Sequence, residues 1–178
     1  MSMFAMYKNN KSFNDEVIND SLSGNLCRCT GYRPIIDAAK SLNQKTDNDE
    51  FVRFKKKTIN LFKKIKIKNI EIKKENRKYF APNTILELKK ILKKNPDAKL
   101  LSGGTDLSLE VTKSRKEIKK IISLNSIKEL DFINNKKNEI EVGAGTSLLK
   151  FEKIIKKYYP DFNSILKRYG SVQIRNVG

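Results

Sequence analysis

The chain has 178 residues, of which 38 % are apolar, and carries a formal net charge of +18. That length suits one domain or two small ones, and the composition is that of a folding chain, not a disordered one. No run of about 18 apolar residues occurs, so no membrane span is expected; histidine is absent, which removes imidazole-based acid–base, nucleophilic and zinc chemistry from the chain's own side chains.

The excess of lysine is spread through every segment and is not interleaved with aromatic residues as a base-stacking surface would be. It reads as a solvated surface, and no nucleic acid is expected as a partner. Residues 1–7 are apolar for too short a stretch, and lack the leading charge, to form a signal-peptide core. A cytoplasmic location follows as the expectation.

Residues 1–45 read as short helices. Asn14 or Asp15 can cap a helix bearing Val17, Ile18 and Leu22, with Gly24 where a terminating glycine would sit. Pro34 suits the first turn of a second helix whose apolar stripe would be Ile35, Ala38, Ala39 and Leu42. Between these lie the chain's two cysteines, Cys27 and Cys29. Two cysteines one residue apart form too tight a loop for an ordinary disulfide. Spacing alone leaves open a pair of packed thiols or a pair of thiolates that ligate a metal or cluster.

Residues 46–77 are polar and rich in lysine, with weak amphipathic patterning around Phe51, Phe54, Ile59 and Leu61, and read as a linker with some helix. From residue 78 the character changes. Thr84-Ile85-Leu86-Glu87 has the form of a capping box, before a helical face of Ile85, Leu88, Ile91 and Leu92. Residues 98–102 read as a strand running into Gly103-Gly104-Thr105-Asp106, followed by a short helix. A strand over 118–124, a hairpin around 134–138, a helix capped by Ser147 and a last helix over about 162–169 complete an α+β pattern.

A strand, a diglycine turn and a helix start bring backbone N–H groups toward an anion, and glycine leaves room for phosphate oxygens. The turn is neither a P-loop nor a G-x-G-x-x-G fingerprint. No residue is assigned a catalytic acid, base or nucleophile role.

Two strings carry a family resemblance. Gly24-Asn25-Leu26-Cys27-Arg28-Cys29-Thr30-Gly31-Tyr32 resembles the C-x-C half of the helical 2Fe–2S domain in the xanthine dehydrogenase and aldehyde oxidase family of molybdenum hydroxylases. Phe80-Ala81-Pro82, then residues 97–107 with their Gly-Gly-Thr, resemble the start of the FAD domain in that family's small subunits, a vanillyl-alcohol-oxidase-like (PCMH-type) flavin fold. A third string, residues 169–178, resembles the segment leading to a second glycine-rich FAD loop.

The resemblance implies three parts: residues 1–45, a partial helical 2Fe–2S-binding domain; 46–77, a linker; and 78–178, the first part of the FAD-binding domain. It implies that Cys27 and Cys29 ligate a 2Fe–2S cluster, supplying two of its four thiolates, the family's C-x-x-C pair being absent. It places FAD against Leu100, Leu101, Ser102, Gly103, Gly104, Thr105, Asp106 and Leu107, with Tyr169 near the flavin unless that ring is packed in the core. Gly143-Ala144-Gly145-Thr146 also matches a family strand end, although a structural turn is the simpler role. The implied partners are a large subunit that binds the molybdenum cofactor and NAD as electron acceptor. Electrons from xanthine, or from an aldehyde or nicotinate-type substrate in a sister enzyme, would pass through 2Fe–2S to FAD and on to NAD. The resemblance further implies that the isolated chain is inactive, shows no cluster absorbance and retains little or no flavin.

Overall fold

A computed structural model describes residues 1–10, 12–26, 31–42, 49–66 and 68–178. The chain forms two compact units: Met1–Lys66 with Gly170–Gln173, and Ile67–Tyr169 with Ile174–Gly178. Among the described residues no helix is long and apolar enough to cross a membrane.

The N-terminal unit is helical. Helices α1 (Ser2–Asn9), α2 (Asp15–Leu22) and α3 (Tyr32–Lys40) converge on Met6, Ile18 and Ala39, all at most 2 % exposed, with Met3, Val17, Leu22, Ile36 and Leu42 packed around them. The Asn14 side chain caps α2 by accepting the Val17 N–H at 2.9 Å, satisfying one donor that the helix start leaves open. Of the expected stripe, Ala39 on α3 is buried and Leu42 just beyond the helix packs on the core, whereas Ile35 and Ala38 face outward and Ile36 packs inward instead. Helix α4 (Glu50–Lys63) begins at Asp49, whose carboxylate accepts the Val52 N–H. Phe51 packs on Phe4 with ring centroids 4.8 Å apart, and Lys8 pairs with Asp49.

The second unit is built on a four-stranded sheet in the order β1-β2-β4-β3, from Ile70–Lys74, Arg77–Ala81, Lys99–Leu101 (β3) and Lys120–Ser123 (β4). The β1–β2 pair is antiparallel, whereas β4 runs parallel to both β2 and β3. Parallel neighbours need crossovers, supplied by α5 (Ile85–Lys94) and α6 (Leu107–Thr112). Ile122 sits mid-sheet opposite Phe80 and Leu100 and is fully buried. A hairpin, β5 (Ile133–Asn135) with β6 (Ile140–Val142), leads to α7 (Leu148–Tyr158), α8 (Pro160–Arg168) and α9 (Val172–Val177).

The stretch read as a linker is more structured than its composition suggested. It holds all of α4 and the edge strand β1, so the sheet begins before residue 78. Every residue of β1 is exposed, with Ile70 and Ile72 among the lysines and glutamates, so a one-sided burial pattern is missing from the sequence. Helix α8 begins at Pro160, earlier than expected, because proline's fixed φ and missing N–H suit a first helical position. Helix α9 has no counterpart among the expected elements.

Candidate functional site

Three parallel strands end on the same side of the sheet, and parallel sheets bind ligands beyond the carboxyl ends of their strands. There, a cleft of about 370 Å³ opens between the loop after β3 and the loop after β4. Ser102 and Gly103 line it from the first loop, Asn125 from the second, and Ser147 and Asn176 from the C-terminal helices. A larger groove of about 540 Å³ is lined only by residues of α4, including Phe51, Phe54 and Phe62. It lacks a facing wall and convergent polar groups, so it is the poorer candidate for small-molecule chemistry.

The diglycine corner is shaped by the backbone. Gly104 has φ +73°, in the left-handed region that a side chain disfavours. At Gly103 a Cβ would stand 1.8 Å from the Val177 carbonyl oxygen. Position 103 therefore requires glycine because the chain's last residues cross directly over it. The sequence-level reason, room for phosphate oxygens, is not needed to explain the residue. The Gly104 carbonyl accepts from the Ser108 N–H at 3.1 Å and the Ser108 hydroxyl at 2.6 Å, locking the corner onto α6.

The opposite wall is tied down as well. The Ser147 hydroxyl caps α7 by accepting the Lys150 N–H at 3.4 Å, and the Leu148 N–H donates to the Gly178 carbonyl at 2.9 Å. Lys150 lies at the rim and pairs with Asp131 across the cleft lining. Serine hydroxyls, asparagine amides and the positive end of an eleven-residue helix supply donors that suit an anionic ligand, while the Lys150 charge is matched by Asp131 in the same lining.

Of the residues singled out from sequence, Ser102 and Gly103 line the cleft, and Leu101 lies beneath the corner, its side chain 3.1 Å from where a Gly104 Cβ would be. Leu100 is 48 % exposed on edge strand β3. Thr105, Asp106 and Leu107 continue from the corner into α6, and Thr105 lies beside Gly178. Tyr169 is 60 % exposed, which removes the reading of it as a core ring. Gly143 packs against the Leu130 carbonyl, where a Cβ would come within 2.2 Å, so its role is structural, while Gly145 borders the cleft. Asn125 and Lys150 are not among the residues singled out, Asn176 enters only as part of the string 169–178, and Ser147 only as a cap; the tertiary fold brings them together. Cys27 and Cys29 lie outside the described residues, in the connection between α2 and α3.

Known proteins resemble the chain over both of its units. Residues 67–178 match the family described as the FAD binding domain in molybdopterin dehydrogenase, and residues 1–40 match the [2Fe-2S] binding domain family. Xanthine dehydrogenase of Emericella nidulans is 25 % identical over 217 aligned positions, covering 97 % of this chain and 15 % of that protein. Aldehyde oxidase of Homo sapiens is 27 % identical over 230 positions, covering 99 % of this chain and 17 % of its own length. The chain thus spans under a fifth of these relatives. A carbon monoxide dehydrogenase structure from Hydrogenophaga pseudoflava superposes with a TM-score of 0.53 and 26 % identity, covering 60 % of this chain and 38 % of that one. The chain belongs to the molybdopterin dehydrogenase FAD-binding family and joins that FAD-binding domain to a 2Fe–2S-binding domain.

Proposed function

We propose that the chain is the electron-transfer part of a xanthine dehydrogenase-like molybdenum hydroxylase, and that the cleft at Gly103 receives the diphosphate of FAD. The observation that carries the reading is the placement of Ser102, Gly103 and Asn125 at the carboxyl ends of β3 and β4, facing the capped start of α7. When bound, the cofactors would supply the redox chemistry, single-electron transfer at iron–sulfur and two-electron chemistry at the flavin toward an acceptor such as NAD. The chain's own work is to bind and orient them. Backbone and hydroxyl groups from Leu100 to Leu107 hold the nucleotide, Tyr169 offers an exposed ring to the flavin, and Cys27 with Cys29 ligate a 2Fe–2S cluster. In this reading, residues 1–45 form part of the cluster domain, and the FAD domain begins with the sheet. A large subunit carrying the molybdenum cofactor is the partner, in the cytoplasm.

A second reading, an aldehyde as the oxidised substrate, is supported by aldehyde oxidases that match this chain as well as the xanthine enzymes do. The experiment is to assemble the protein with its molybdenum-binding partner, add xanthine or an aldehyde, and follow flavin bleaching and NADH formation. Xanthine-dependent bleaching with NADH release supports the first reading. Bleaching by aldehyde alone supports the second, and a flavin-free assembly with either substrate sinks both.

A further inference from the structure

Arg175 is the largest fully buried side chain of the second unit, only 1 % exposed. Its Nε stands 3.2 Å from Glu152 Oε2 on α7, and its Nη1 donates to the Lys167 carbonyl on α8 at 3.1 Å. A buried guanidinium is costly unless its charge is matched, so the pairing fixes α9 against both helices. The residues that follow Arg175 are those that meet the cleft. Asn176 and Val177 line it, the Val177 carbonyl occupies the space beside Gly103, and the Gly178 carbonyl takes the Leu148 N–H.

We propose that Arg175 and Glu152 form a positioning pair that sets the Asn176–Gly178 backbone over the diglycine corner and so tunes the cleft for a diphosphate nucleotide. The inference rests on the FAD reading for its ligand, but not for its geometry. Arginine suits the task because its planar fork can engage a carboxylate and a carbonyl at once, whereas lysine offers a compact point charge. Glu152→Gln keeps the shape of the carboxylate partner but removes its charge.

The test compares wild type, Arg175→Lys and Glu152→Gln for FAD affinity by fluorescence titration. The same proteins are compared without ligand for the Gly103 amide chemical shift and for exchange of the Leu148 amide hydrogen. Thermal unfolding gives the folded fraction, so affinity is read on folded protein only. The expected result is a loss of FAD affinity of about tenfold in each variant, with a moved Gly103 resonance and faster Leu148 exchange. Unchanged affinity in the folded fraction overturns the proposal. Wild-type protein that binds no FAD sinks the nucleotide reading instead, and the ligand-free measurements then decide: faster Leu148 exchange in Arg175→Lys supports the clamp, and unchanged exchange overturns it.

Discussion

In the N-terminal unit, three short helices meet around Met6, Ile18 and Ala39. In the second unit, Phe80, Ala81 and Ile122 are buried by the sheet and Ile155 and Leu166 by the helices beyond it, together with a matched Arg175–Glu152 charge pair. The first core is a single small cluster whose helices are eight or nine residues long. Helices of that length are marginal in isolation, and small cores lean on staples such as bound metal. The second has ladder hydrogen bonds and crossovers that hold its loops before any ligand arrives. A unit that matches a 2Fe–2S-binding domain can therefore depend on a bound group for stability, while the cleft at Gly103 is built by the polypeptide itself.

Equivalent truncations in the two cores give the sharpest contrast. Ile18→Ala and Ile122→Ala remove the same atoms from fully buried sites, each at a cost of about 2–5 kcal/mol. Residue-resolved hydrogen exchange should show Ile18→Ala abolishing protection in α1–α3, while Ile122→Ala lowers but does not abolish protection in the sheet. Equal retention in both units would erase the distinction drawn above.

Gly103→Ala should act on one unit only. Its new methyl meets the Val177 carbonyl, and relief requires moving backbone; overpacking of this kind costs about 1–3 kcal/mol. Chemical denaturation is expected to show the second unit weakened and the first unmoved. A neutral Gly103→Ala would mean that residues 174–178 do not cross the corner.

The smallest effect lies on the surface. A hydrogen bond from Lys120 at 2.8 Å holds the Asp97 carboxyl below its ordinary pKa. A depressed acidic pKa contributes stability that is complete above the unfolded-state value and is lost as pH falls through the folded-state one. Asp97→Asn should therefore flatten the acid limb of the stability curve slightly, and added salt should mask the difference, since both groups are solvated. A large change would show that β4 and the turn before β3 depend on this pair far more than their exposure allows.

Local signals in the sequence were legible wherever one residue does one job. Asn14, Thr84 and Ser147 announced helix starts, and all three side chains accept the expected backbone N–H. In the lysine-rich stretch, α4 showed only as the weak patterning around Phe51, Phe54, Ile59 and Leu61, and β1 was concealed because every one of its residues is exposed. Part of the candidate site was readable, since Ser102 and Gly103 sit in one contiguous string. Asn125, Lys150 and Asn176 come from separate elements, and no local pattern links them. The partnership of Arg175 with Glu152 was equally hidden, because a buried ion pair leaves no periodic trace. At Gly103 the close crossing of the end of α9 at Val177 is by itself enough to require glycine, a reason the local string does not carry beside the room for phosphate that it suggests.

The most direct measurement is a titration of isotope-labelled protein with FAD, and separately with ADP, followed by amide chemical shifts, a readout that registers weak binding as well as tight. Saturable shifts are expected to cluster on Ser102, Gly103, Asn125, Ser147 and Asn176, with ADP reproducing those of the diphosphate end. Shifts scattered over the lysine-rich surface that vanish with salt, or none at all in folded protein at saturating FAD, would contradict the FAD reading of the cleft.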